Sequence, residues 1–277
     1  MTRREPRIRT VWLGRAIQQM RMDADLTAKD IAAYIGRDQS TVSRMEDGKV
    51  PVGEQILEGY LEACGVVDPH RQADIRRIRR DATNSGWWEG YEGDVAGVLM
   101  DHTWVESKAA TASTFDLAYI PGLLQTPEYA RGVMAAIDPS EDLERWLELR
   151  MTRQHVLSKH HPMKLKAIID QSVIQRQVSS PEVMRLQLGH LLEMTQLANV
   201  DIRVLPMDRY HGTSGSFEVF TLTNPYPRIG YIAGPAGDVC VEGHAVEQLS
   251  LQFERLSAAS LNPDHSRDLI TDERNAL

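Results

Sequence analysis

Between Leu26 and Lys49 the chain reads LTAKDIAAYIGRDQSTVSRMEDGK, and the spacing of its apolar, small and glycine positions admits few folds. Ile31, Ala32 and Ile35 form an inward helical stripe, and Val42 with Met45 resumes it three residues apart. Gly36 separates the two segments and can take the positive φ of a tight interhelical turn. Thr27 with Asp30 makes a near capping box for the first segment, and Asp38 can cap QSTVSRME. The pattern predicts two short helices whose close approach depends on the small side chain of Ala32. Bulk at Ala32 or Gly36 is expected to disrupt the pair.

The flanks extend this pair into a helical domain. Leu13, Ile17 and Met20 stand at i, i+4 and i+7, giving an amphipathic helix with Arg15 and Arg21 on its other face. After Gly48 and Pro51, GEQILEGYLEACGV sets Ile56, Leu57, Tyr60, Leu61 and Cys64 on one side of a fourth helix, and Asp74 to Arg80 adds a fifth. Thr83 to Gly93, TNSGWWEGYEG, mixes three glycines with Trp87, Trp88 and Tyr91 and reads as a boundary whose aromatics dock onto the second domain. The expected organisation is an all-α N-terminal helix-turn-helix domain over 1–82, a linker over 83–94 and a mixed α+β C-terminal domain over 95–277.

Within that second domain, Val98 to Ala112 is helical in period, Phe115 to Ile120 is a short buried stretch, and Thr126 to Ile137 is helical. Leu143 to Lys159 reads as a long amphipathic helix, Lys164 to Asp170 as a strand, and Pro181 to Ala198 as a helix with proline in its first turn. Strands are predicted at Asp201 to Pro206, Ser216 to Thr223, Arg228 to Ala233 and Val239 to Glu242, with a closing helix at Ala245 to Ser260.

Charge is unevenly placed. Residues 1–80 hold 15 Lys and Arg against 12 Asp and Glu, a net of +3, so the chain total of −8 leaves −11 for the remainder. A mildly basic head can be drawn to phosphates and an acidic body cannot, which confines nucleic-acid contact to the head and predicts marked salt dependence. No run approaches the roughly 18 apolar residues of a membrane span, and no signal-type segment comes after MTRREPRIRT, so the cytoplasm is expected. Cys64 and Cys240 lie far apart and are expected as buried, reduced thiols.

In a helix-turn-helix the second helix of the pair lies in the major groove of double-stranded DNA. Gln39, Ser40, Thr41, Ser43 and Arg44 are its polar candidates: glutamine pairs with adenine, arginine with guanine or phosphate, and the hydroxyls with either. Arg15, Thr27, Lys29 and Lys49 complete the expected DNA-binding set. Glu46 would be repelled by phosphate and is expected in a structural ion pair or helix-end contact.

The head resembles the phage-repressor-like (XRE) helix-turn-helix family, whose pattern is met by Leu26, Thr27, Ile31, Ala32, Ile35, Gly36, Ser40, Val42, Ser43, Arg44, Glu46 and Gly48. Ala28 departs from it, standing where many relatives carry a phosphate-bonding glutamine. Pro121 to Arg131, PGLLQTPEYAR, resembles the signature of the uncharacterised C-terminal domain of actinobacterial antitoxin-like and developmental regulators. Arg150, Arg153 and Gln154 in R-x-x-R-Q, the strand KLKAIID, Gln187 with Leu188, and Phe217 extend the match, while Gln171 and Ala233 depart from it. The resemblance implies a transcriptional regulator, often paired with a small partner protein encoded nearby.

No enzyme is expected. The stretch HGTSGS at His211 to Ser216 lacks the G-x-S-x-G spacing of a nucleophile elbow, and His155, His160 and His161 lack a carboxylate at metal-ligand spacing. No catalytic residue, cofactor or metal is predicted. The expected function is a sequence-specific DNA-binding regulator, working as a homodimer, whose C-terminal domain answers to a protein partner or ligand. Alternatives are an antitoxin-like protein that sequesters a small basic partner, and a small-molecule sensor. Arg150 with Arg153 could hold an anion, although buried ion pairs are the commoner use of such arginines.

Overall fold

The computed structural model describes residues 6–84, 97–137, 142–208, 212, 215–234 and 237–277. The chain divides into two compact units, Met1–Trp104 with Asn224–Tyr226, and Val105–Thr223 with Pro227–Leu277. The division falls inside a helix at Trp104/Val105. Most of the linker expected at 83–94, with Trp87, Trp88 and Tyr91, lies outside the described residues.

The first unit is helical: α1 (Ile8–Asp23), α2 (Ala28–Tyr34), α3 (Gln39–Glu46), α4 (Glu54–Ala63), α5 (Pro69–Thr83) and the start of α6 (Gly97–Lys108). Its buried stripes supply Leu13, Ile17 and Met20 from α1, Ile31 and Ala32 from α2, Val42 and Met45 from α3, and Leu57, Tyr60 and Leu61 from α4. The fifth helix begins earlier than the expected Asp74, because Asp68 accepts the His70 N–H at 2.9 Å and Pro69 occupies the first helical position. The α1 N-terminus is closed from a distance: Ile8 N–H donates to Asp101 Oδ2 at 2.9 Å. Trp12, Trp104 and Tyr226 meet with ring centroids 5.3 to 5.8 Å apart, two of the three contacts edge-on, and the Tyr226 hydroxyl donates to Asp81.

The second unit is built on a six-stranded sheet of order β3-β2-β1-β4-β5-β6. Its strands are β1 (Ala109–Asp116), β2 (Lys164–Asp170), β3 (Val200–Leu205), β4 (Phe217–Leu222), β5 (Ile229–Ile232) and β6 (Val239–Glu242). β1, β2 and β3 run parallel, while β4, β5 and β6 pair antiparallel. The parallel half needs long crossovers, which α7 (Pro127–Ile137) and α8 (Leu143–Arg153), then α9 (Gln171–Gln175) and α10 (Pro181–Met194), provide. Phe115, Ile168, Leu205, Phe217 and Val219 form one apolar face, covered by Val246, Phe253 and Leu256 of α11 (His244–Ala259). A last helix, α12 (Pro263–Ala276), packs on α10 and β3.

Four expectations are corrected. The helical segment predicted through Ala112 stops at Lys108, and Ala109 to Asp116 is the central strand, the helical preference of its alanines overridden by pairing on both sides. The helix predicted to Lys159 ends at Arg153 and tightens into a 3-10 turn at Gln154–Leu157. Cys64 is half-buried, and Cys240 is exposed because β6 is an edge strand paired on one side alone. The helices α9 and α12 add to those expected from the sequence.

The PGLLQTPEYAR loop comes after β1, and three glutamines satisfy its backbone. The Gln125 amide donates to Ile120 O at 2.6 Å, and that of Gln154 donates to Gly122 O at 3.1 Å and Gln125 O at 2.7 Å. Gln187, fully buried, accepts the Thr126 N–H and donates to Leu124 O, both at 2.7 Å. A buried loop carries this many polar backbone groups only if each finds a partner. Gln187→Met keeps the length of the side chain and removes both bonds, so urea denaturation is expected to show a loss of about 2–4 kcal/mol.

Asp116 ends β1, is 8% exposed and accepts a hydrogen bond from the Thr114 hydroxyl. Burial pushes its carboxyl up to about 8, with Thr114 pulling the other way and the charge of Glu218 adding to the rise. Since the folded protein holds this proton after the unfolded chain has released it, stability falls as pH rises from about 4 to about 8. Asp116→Asn removes that slope. Melting curves are expected to show the variant gaining on the natural protein across this window.

Candidate nucleic-acid interface

The turn between α2 and α3 sets the angle of the pair. Gly36 has φ +65°, Ile35 N–H bonds Ile31 O at 2.9 Å, and Arg37 N–H reaches back to Ala32 O at 2.9 Å. This is the Schellman closure of a helix, and its left-handed position suits glycine. At the start of α2, Thr27 and Asp30 form a complete capping box. At the start of α3, Asp38 accepts the Thr41 N–H at 2.7 Å and the Thr41 hydroxyl at 2.8 Å, and these bonds hold its carboxyl below the usual range.

The inner side of α3 is fixed by contact with α1. A Cβ on Gly14 would stand 2.3 Å from Glu46 O, so α1 can cross α3 this closely only with glycine there. Glu46 is 6% exposed and accepts from Arg21 Nε at 2.7 Å and Arg21 Nη2 at 2.8 Å. Arg21 also donates to Leu26 O at 2.9 Å, and the Tyr60 hydroxyl points at Glu46 from 3.4 Å. The bonds to Glu46 raise the guanidinium above its usual value, and burial followed by the charge of Glu46 raises the Tyr60 phenol. The residue expected to avoid phosphate thus ties α3 to α1 and α4.

With Val42, Met45 and Glu46 turned inward, Gln39, Ser40, Ser43 and Arg44 are exposed. The i, i+4 spacing of 39 with 43 and of 40 with 44 places them on one side of the helix. Their side chains make no hydrogen bond among the described residues. Thr41 differs, being half-buried with its hydroxyl engaged by Asp38. Of the other expected residues, Arg15, Thr27, Lys29 and Lys49 are all exposed; Thr27 is occupied by its capping box and Lys49 pairs with Asp47 at 2.5 Å. Arg37 is outside the set expected from the sequence. It stands exposed between Gly36 and Asp38, and its side chain has no hydrogen bond or ion pair among the described residues. A cation next to the glycine of the turn is the signal that could have found it.

A model described as a helix-turn-helix domain matches residues 12–74. A model described as a domain of unknown function, DUF5753, matches residues 99–272. No curated protein and no solved structure matches the chain. No helix among the described residues is long and apolar enough to cross a membrane.

Arg21→Met leaves the Glu46 carboxylate buried without its partner. Chemical denaturation of the head's transition is expected to show a loss of about 3–5 kcal/mol, and the double variant Arg21→Met, Glu46→Leu a smaller one.

Proposed function

We propose that this chain, which belongs to the DUF5753 family and carries a helix-turn-helix domain ahead of it, is a sequence-specific DNA-binding regulator of transcription. Its acidic C-terminal domain answers to a protein partner or a ligand, and it catalyses no reaction. The observation that supports this reading is the exposed group Gln39, Ser40, Ser43 and Arg44, unengaged within the described protein and carried on a helix locked from behind. Gln39 suits adenine and Arg44 suits guanine, while Arg37, Lys29, Arg15 and Lys49 suit phosphates. The protein acts in the cytoplasm as a homodimer, its two heads reading half-sites about one helical turn apart.

The net charge of −11 beyond residue 80 favours a second reading, in which the body sequesters a small basic protein and DNA binding serves autoregulation. Purification of the tagged chain from its native cell separates the two: the second reading expects a small basic protein in stoichiometric amount, and a regulator acting alone comes without one.

Fluorescence anisotropy with DNA from upstream of the chain's own gene tests the main reading. Gln39→Ala and Arg44→Ala are each expected to cost about 1–3 kcal/mol of binding without changing the melting temperature. Binding that ignores both substitutions, or that does not weaken with salt, would sink it.

A further inference from the structure

The two arginines of the R-x-x-R-Q motif have different fates. Arg153 is buried and closed by Glu106, its Nε and Nη2 each 2.6 Å from a carboxylate oxygen. Arg150, one turn earlier on α8, is half-buried and makes one hydrogen bond among the described residues, from Nη1 to Gln125 Oε1 at 3.0 Å. No carboxylate of the described residues lies within ion-pair distance of it. Burial, then the charge of Arg153, lowers its pKa to about 10. A guanidinium offers five N–H donors in a planar fork suited to a carboxylate, and four of these are left over.

The support for Arg150 is rigid. Gln125 is 1% exposed, its Nε2 donates to Ile120 O, and its carbonyl accepts from Gln154, so its Oε1 is held in one place. Tyr119, in the same loop, is half-buried, feels the charge of Arg150, and its hydroxyl has no hydrogen bond among the described residues. Burial pushes the carboxyl of Asp116, within electrostatic reach of Tyr119, above its usual range.

The place is also one that open sheets use for ligands. β1 has the parallel β2 on one side and the antiparallel β4 on the other. The chain therefore winds in opposite directions from its two edges, and a crevice beyond the carboxyl end of such a strand is the usual ligand position. Asp116 is the last residue of β1, and Thr114 lies opposite Glu218 of β4. Strand alternation turns Asp116 and Glu218 away from the face that α11 covers.

We infer that the carboxyl end of β1 binds a small organic carboxylate, its two oxygens taken by Arg150 and its position fixed by Tyr119. The acidic groups nearby choose between anions. Glu218 acts on Arg150, Arg153 and Tyr119, and Asp238 on Arg153 and Tyr119, so a doubly charged phosphate meets more repulsion than a singly charged carboxylate. This goes beyond the DNA reading and rests on it only in making the ligand a regulator; binding itself needs no DNA.

Saturation-transfer NMR and calorimetry on the full chain test it, with benzoate as one probe and inorganic phosphate as the other. Benzoate is expected to bind, Arg150→Gln to weaken it about tenfold or more, and Tyr119→Phe about threefold. Phosphate is expected to bind more weakly than benzoate. Operator binding by Arg150→Gln, read by anisotropy without carboxylate, is expected to match the natural protein, which keeps failure of this inference separate from failure of the DNA reading. Absence of benzoate binding, equal binding by a folded Arg150→Gln, or tighter binding of phosphate each overturns it. If Arg150→Gln does not fold, an unchanged Kd in Tyr119→Phe does so.

Discussion

A buried carboxylate and the half-buried guanidinium that closes over it hold the head in shape. Glu46 sits at the end of α3 and Arg21 near the end of α1, and the pair is bidentate with Tyr60 of α4 above it. Apolar contacts between helices of 7 to 16 residues leave their rotation loosely set, since methyl groups pack at many angles. The fork of an arginine on a carboxylate accepts one plane. Fixing Glu46 fixes the roll of α3, and with it which side of that helix carries Gln39, Ser40, Ser43 and Arg44 outward. The desolvation of two charges is a poor way to gain stability and a good way to select one arrangement.

The head is legible in the sequence because its signals are local. A capping box at Thr27, a cap at Asp38 and a turn glycine at Gly36 act within four residues of themselves, and the structure keeps all three. The exposed face of α3 is legible from the inward stripe alone. What the pattern could not give is Arg21 as the partner of Glu46, because 25 residues separate them. Thr41 is legible as polar and illegible as spent: its hydroxyl belongs to Asp38.

In the body, strands β2 to β6 are legible and the local signal misleads at β1. AATASTFD has three alanines, good helix formers, among its two threonines and one phenylalanine, and it lies at the centre of the sheet. Tertiary pairing outweighs propensity there, as it commonly does in central strands. α12 is open to reading, with Asn262 accepting the His265 N–H at 2.9 Å and Pro263 at the first helical position. The paired arginines show the limit of motif reading: Arg150 and Arg153 are equivalent in sequence, and only the location of Glu106 separates a closed ion pair from an open cation.

The composition of β1 also matters before the fold exists. Its parallel neighbour begins about fifty residues further on, and its antiparallel one about a hundred. During synthesis the strand therefore waits about fifty residues for its first partner and about a hundred for its second, and an unpaired strand rich in valine, isoleucine and aromatics would invite association with other chains. Alanine, serine and threonine give it little apolar surface to offer in that interval. The small side chains that disguise it as helix thus keep the nascent chain from sticking until β2 and β4 arrive.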